Sequence, residues 1–210
     1  MLSTRRPRRG QRGFIMVIAL VALVIMTLAA LGLMRTVSTS ATIAGNLAFE
    51  QAAATSADRA VEAAIAWLEN STGKASVSGL GTCSTGTTVL ACDQKAAGYA
   101  AVRTDPASGQ TWTTVWNTLV AAGYTAVTLS PAQDSAGNTP AYLIQRMCST
   151  AGDASSANGC SASPLALDTS SSRKAGSLAP PTNAQVYYRI TVRVAGPRNT
   201  VSFIQAMVAL

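Results

Sequence analysis

The chain has 210 residues, sixteen Lys and Arg against nine Asp and Glu, and a formal charge of +7. Five of the cations, Arg5, Arg6, Arg8, Arg9 and Arg12, fall within the first thirteen residues, where no acid occurs, which leaves eleven bases against nine acids elsewhere; this is a basic tail rather than a basic domain, and no nucleic-acid partner is expected. No histidine occurs, which removes the usual general base and the commonest metal ligand, so neither a metal nor a cofactor is expected.

The basic tail ends at Gly13, and Phe14 opens a run of twenty-one uncharged residues closed by Arg35. As a helix rising ~1.5 Å per residue, Phe14 to Met34 spans ~32 Å, about the hydrocarbon thickness of a bilayer. The basic flank belongs on the cytoplasmic side, so residues beyond Met34 face outward. A conventional signal peptide has an apolar core of only ~7–15 residues followed by a small-x-small cleavage site. This core is longer, and Leu28-Ala29-Ala30-Leu31-Gly32 offers no such site, so ordinary cleavage there is not expected.

Beyond the run the helical pattern continues. Ile43, Leu47, Ala54, Ala57, Val61, Ile65 and Leu68 recur mostly at three- and four-residue intervals and define an apolar stripe. Gln51, Ser56, Arg59, Glu62 and Glu69 lie off it. No proline interrupts residues 14 to 70, and Asn70-Ser71-Thr72-Gly73 supplies turn and C-cap chemistry. The first half of such a helix is apolar all round, so it requires lipid or other helices of the same kind.

The rest reads as a sheet domain. Residues 71 to 98 form a Ser/Thr/Gly-rich loop. Trp112, Val115, Trp116, Leu119 and Val120 share one helical face, with Gly123 as a stop. Strand patterns follow at 125–129 and 141–148, and 149–184 is a loop. Tyr188, Ile190, Val192 and Val194 then alternate with Arg189, Thr191 and Arg193 as a half-buried strand whose arginines face solvent. Ala195 to Asn199 turns the chain into a return strand from Thr200. The expected fold class is α+β: a long helix packed on a three- or four-stranded antiparallel sheet with disulfide-pinned loops.

Four cysteines stand at 83, 92, 148 and 160. An even count behind an export-like segment suggests disulfides in an oxidising compartment. Of three pairings, Cys83–Cys92 with Cys148–Cys160 is favoured, because each closes a short loop rich in small and polar residues. Zinc is disfavoured, since neither spacing is C-x(2–4)-C and no histidine can assist. Two such bridges are expected to act locally and independently, each worth on the order of 2.5–3 kcal/mol.

The stretches QRGFIMVIALVALVIMTLAALGLMR, ATIAGNLAFEQAA, AYLIQRMC and YYRITVRVAGPRNTVSFIQAMV together resemble type IV prepilins, and within them minor pilins of the PilX type. The resemblance covers somewhat under half of the chain. It implies a leader, 1–13, removed at Gly13–Phe14 by prepilin peptidase, with methylation of the new amine of Phe14. It further implies a transmembrane and assembly segment, 14–34, an amphipathic continuation, 35–70, and a globular domain, 71–210. The protein would sit in the inner membrane with its domain in the periplasm, then pass into an extracellular pilus. Its partners would be the peptidase, membrane lipid, the major and other minor pilins, and a tip adhesin. Ile18 and Arg35 are assembly positions on this reading. Most pilins carry glutamate as the fifth residue of the mature chain, whereas counting from Phe14 places Ile18 there.

Three rivals compete with a pilus subunit. A minor pseudopilin of a type II secretion system shares the helix and much of the fold. A pilus-borne adhesion or DNA-binding subunit would need a basic stripe with exposed aromatics, and only scattered cations occur. The third is an enzyme: the spacing S-x-x-K occurs at Ser71–Lys74 and Ser171–Lys174, but in Ser-rich loops and without S-D-N or K-T-G, so no catalysis is expected.

Overall fold

The computed structural model describes residues 14–154, 158–162 and 185–210. The chain divides into two compact units, residues 1–50 and 51–210. Helix α1, Phe14–Ser71, is the one element shared between them. In the first unit α1 is exposed almost throughout.

In the second unit α1 forms one wall of the core. Its buried positions are Ala53, Ala57, Ala60, Ala64, Leu68 and Ser71, at three- and four-residue intervals, with Ser56 beside Ala57. The stripe is therefore narrower and smaller than the aliphatic pattern suggests: Ile43 and Leu47 are exposed, and Val61 and Ile65 flank the contact. The reason is distance. The sheet fills the interface with Tyr142, Ile144, Tyr188, Ile190, Val192 and Val194, and alanines let the helix backbone approach those large side chains. Tyr99 extends the layer, its ring 5.6 Å from that of Trp67 and 6.4 Å from that of Tyr188. The helix ends as Thr72 donates its amide to Leu68 and Gly73 turns left-handed at φ 69°.

The sheet has five strands and is mixed, which corrects the antiparallel expectation. Strands β3 (Thr139–Arg146), β4 (Tyr187–Ala195) and β5 (Val201–Ala209) form an antiparallel core. Two short strands share the outer side of β3: β1 (Tyr99–Ala100) pairs parallel with Ile144 and Gln145, and β2 (Val127–Thr128) pairs antiparallel with Tyr142 and Ala141. A parallel pair needs a long crossover. Residues 101–138 provide it, including helix α2 (Trp112–Ala121). Two residues carry no period, and β1 lies just beyond the loop expected over 71–98, in a stretch to which the sequence assigns no element. Gly98 sets it in place at φ 66°, where an added Cβ would lie 2.7 Å from the Thr125 carbonyl oxygen.

Helix α2 starts at the expected Trp112 and stops as expected at Gly123, which is left-handed at φ 91°. Tyr124 donates to Leu119 and Gly123 to Val120, the hydrogen-bond pair of a Schellman stop. Val115, Trp116 and Leu119 are buried against Leu143, with Ala141 and Phe203 beside them. Val120, expected on that face, is exposed.

Helix α2 thus covers the face of β4 that the alternation assigned to water. Arg189 is only 5% exposed. It is directly opposite Gln145 in the register and donates to Gln145 Oε1 through Nε at 3.1 Å and through Nη2. Nη2 also donates to the Thr104 carbonyl at 2.7 Å, and Nη1 pairs with the Asp105 carboxylate. Its guanidinium lies 4.7 Å from the centre of the Trp112 ring. Arg189 therefore ties the strap between β1 and α2 onto the sheet. Arg146, buried on the opposite face of β3, holds the start of that strap through the Ala101 carbonyl at 3.1 Å. Arg193 remains half-buried.

Replacing Arg189 leaves the Gln145 carbonyl and the Thr104 carbonyl without their donor and unstacks Trp112. Arg189→Ala is expected to cost on the order of 2–4 kcal/mol, and Arg189→Lys to recover little, because an ammonium neither forks nor stacks in the same way. Arg193→Ala should stay within ~0.5 kcal/mol. Chemical denaturation of the full chain in detergent micelles separates them; equal effects at both positions would overturn the assignment.

Candidate functional site

The most distinctive surface is the first unit's helix. From Phe14 to Met34 the large apolar side chains are between 44% and 79% exposed, on every side of α1. A core helix of a soluble domain would bury one face. This one buries none, and it is the single described helix long and apolar enough to cross a membrane. Thr27, the one hydroxyl within the segment, donates to the Val24 carbonyl at 2.8 Å, so its donor is satisfied without water. Thr36, Thr39 and Thr42 close back on Gly32, Arg35 and Ser38 in the same way.

Of the residues singled out in the sequence, Phe14 is the first described residue of α1 and Gly13 lies outside the described residues. Phe14 and Ile18 are 67% and 52% exposed. Arg35 is exposed on the same helix. Lys74 of the first S-x-x-K donates to Asn70 Oδ1 at 2.8 Å, and the Ser71 hydroxyl is buried without a hydrogen-bond partner. The lysine is thus bonded to the asparagine and not to the serine. Ser171 and Lys174 lie outside the described residues. Among the described residues no cluster of three carboxylates or thiols could hold a metal ion.

Cys83 is bonded to Cys92 and Cys148 to Cys160. Disulfides are compatible with a periplasmic location. The loops they close are not independent. Asp153, inside the second loop, accepts the Thr87 amide of the first at 2.9 and 3.1 Å and the Thr87 hydroxyl at 3.0 Å. Gly152 donates to the Ala91 carbonyl at 2.8 Å. The two loops meet in one joined surface, a contact that the expectation of local, separate action does not include. Spacing within the sequence shows which loops close but not which loops touch.

Compared with known protein families, curated proteins and solved structures, the chain matches none.

Sequence reading missed the Arg189 cluster and the Asp153 contact. A cross-strand Gln145 opposite Arg189 was the available signal for the first; the second had none.

The Thr87 amide holds the Asp153 carboxyl below the usual carboxylate range, against a smaller opposing effect of burial. A carboxyl held low in the folded state stabilises fully above its unfolded value of ~3.9, and that contribution is lost as the pH falls through the folded value. Removing both disulfides is therefore expected to differ from the sum of the single removals by more than ~0.5 kcal/mol at pH 7. The coupling should shrink on acidification below about pH 4 and weaken in Asp153→Asn, while the Gly152–Ala91 hydrogen bond keeps part of it. Additive losses at pH 7 would refute it.

Proposed function

We propose that the protein is a minor subunit of a type IV pilus, made as a membrane-anchored precursor and assembled through α1. One observation carries the reading: an uncharged helical segment with every face exposed runs in a single helix into the alanine stripe of a disulfide-braced sheet domain. A plain anchor needs only the first part. A helix that is to exchange lipid for neighbouring helices, while its far end carries a folded domain, needs both.

The Gly13–Phe14 junction adds chemistry. Five arginines hold the N-terminus at the cytoplasmic face. Cutting them away releases that tether, so the apolar segment can be drawn from the bilayer into a bundle of like helices. Mass spectrometry of the mature protein is expected to give an N-terminus at N-methylated Phe14, with Gly13 the leader position most sensitive to substitution. An N-terminus still at residue 1 or 2 in cells with an active prepilin peptidase would sink the reading.

Ile18 points to a position in the filament. In the resemblance, the glutamate at this place counters the methylated amine of an adjoining subunit. An unpaired ammonium in apolar surroundings costs several kcal/mol, so a subunit with Ile18 is a poor neighbour for one stacked above it. Glu50 and Glu62 lie more than ~45 Å along the helix from Phe14 and cannot substitute. The subunit belongs at or near the tip, in few copies, within an initiating complex of minor pilins. Immunogold labelling of sheared pili should mark one end. Label along the whole shaft at major-pilin density would end the tip assignment, and Ile18→Glu should be tolerated but lose confinement to the end.

A further inference from the structure

Each disulfide joins a buried cysteine to a half-buried one: Cys92 and Cys148 are 6% and 0% exposed, while Cys83 and Cys160 are only half-buried. Access therefore does not separate the two bridges, but the surroundings of their sulfurs do. Cys92 Sγ accepts the Cys83 amide at 2.9 Å, and Cys83 Sγ lies 3.1 Å from the Thr85 hydroxyl. Among the described residues no donor bonds to the sulfur of Cys148 or Cys160. The guanidinium of Arg146, two residues before Cys148, is no substitute. Its Nε donates to the Ala101 carbonyl, and its buried Nη2 meets no acceptor, the Cys148 sulfur included.

A disulfide carries almost no charge on its sulfurs, whereas thiol–disulfide exchange leaves a full negative charge on the departing one. A donor already placed at that atom favours the opened bridge over the closed one. We propose that Cys83–Cys92 is the exchangeable bridge of the two, opened by a dithiol reductant through a mixed disulfide on Cys83. The thiolate of the reductant attacks the half-buried Cys83 sulfur and forms a new S–S bond there. The Cys83–Cys92 bond breaks, and its electron pair leaves on Cys92 Sγ, where the Cys83 amide receives it. The second thiol of the reductant then displaces Cys83. The reductant ends as its own disulfide, and the bridge has taken up two electrons and, once both thiolates are protonated, two protons.

The bridge governs one contact. Between its cysteines lies Thr87, whose amide and hydroxyl hold the Asp153 carboxylate of the other loop. Val89, Leu90 and Ala91 are buried, and the Leu90 carbonyl accepts the Tyr99 hydroxyl at 2.6 Å, so that end of the loop stays in place when the bridge opens. Thr87 is then held from one side only. Reduction releases its contact with Asp153 and leaves the sheet core intact.

The full chain in detergent micelles is equilibrated against graded ratios of reduced to oxidised dithiothreitol, quenched in acid, alkylated and mapped by mass spectrometry. Cys83–Cys92 is expected to be half reduced at a ratio about tenfold lower than Cys148–Cys160, as one hydrogen bond to a charged sulfur provides. With glutathione, a monothiol, the adduct should sit on Cys83 and the free thiol on Cys92. Thr85→Val, at an exposed position, should raise the ratio needed by about threefold, and Thr85→Ser should not. On opening, the Thr87 amide should exchange faster, while the Ile144 amide, bonded to the Gly98 carbonyl, keeps its protection. Opening of Cys148–Cys160 first or at the same ratio would overturn the proposal. So would glutathione on Cys92, equal behaviour of Thr85→Val and Thr85→Ser, or an unchanged Thr87 amide. No pilus enters the measurement, so its failure is distinguishable from failure of the pilin reading.

Discussion

The second unit depends on how closely α1 can sit on the sheet. Ala53, Ala57, Ala60 and Ala64 present little more than backbone to the tyrosines and β-branched residues of β3 and β4. Each alanine forgoes most of the apolar area that a leucine would bury. The sheet's side chains recover it by filling the same space, so total burial is kept while the separation falls. Interiors are dense enough that one added methylene is felt, which makes the alanines as constraining as the large residues opposite them. Leu68 and Trp67 enter only near the helix end, where Tyr99 widens the opposing layer.

With α1 fixed on one face, β4 becomes an interior strand, and its other face is decided by α2. Five of its nine residues are buried in succession, Tyr188 to Val192. A strand covered on both sides ordinarily reads as a continuous apolar run. Here the second face contains Arg189 and Thr191, each satisfied across the strand: Arg189 by Gln145 and Thr191 by the Gln205 amide at 3.0 Å. The polar pattern survives because its hydrogen bonds are made within the fold rather than with water. In return, the same guanidinium anchors the strap that carries the chain from β1 to α2.

What was legible in the sequence follows from how local each signal is. The apolar span, the continuing helix, the α2 stop at Gly123 and the strands beginning near residues 140, 187 and 201 each announce themselves within a dozen residues, by period or by turn chemistry. The mixed sheet does not, because β1 is too short to show a period and takes its strand geometry from β3, whereas β2 falls within the strand expected at 125–129. The alanine stripe was misplaced by the habit of weighting large apolar residues: Ile43 and Leu47 continue the pattern but lie on a part of α1 that the domain does not cover. Arg189 was misread because alternation reports that two faces differ, not that one of them is wet. The disulfide loops could be read one at a time, whereas their contact through Asp153 and Thr87 joins residues 66 apart.

The helix and the sheet edge leave the chain with two kinds of unmet demand. Beyond the amides of its first turn, the span from Phe14 to Met34 makes its backbone hydrogen bonds within the helix and leaves its apolar side chains exposed; any sufficiently apolar medium satisfies those side chains, whether lipid tails or other helices, because dispersion and exclusion from water are indifferent to sequence. On the proposed function, that indifference is what would let one segment change surroundings. β5 has the opposite character. Among the described residues it pairs only with β4, so the backbone donors and acceptors of its outer side meet no described strand, a demand that is met by register and not by area. A subunit that uses the helix to join many equivalent neighbours gains no discrimination from it. Any discrimination among partners would have to come from the folded domain, whose sheet, among the described residues, is flanked by β1 and β2 at β3 and by no strand at β5.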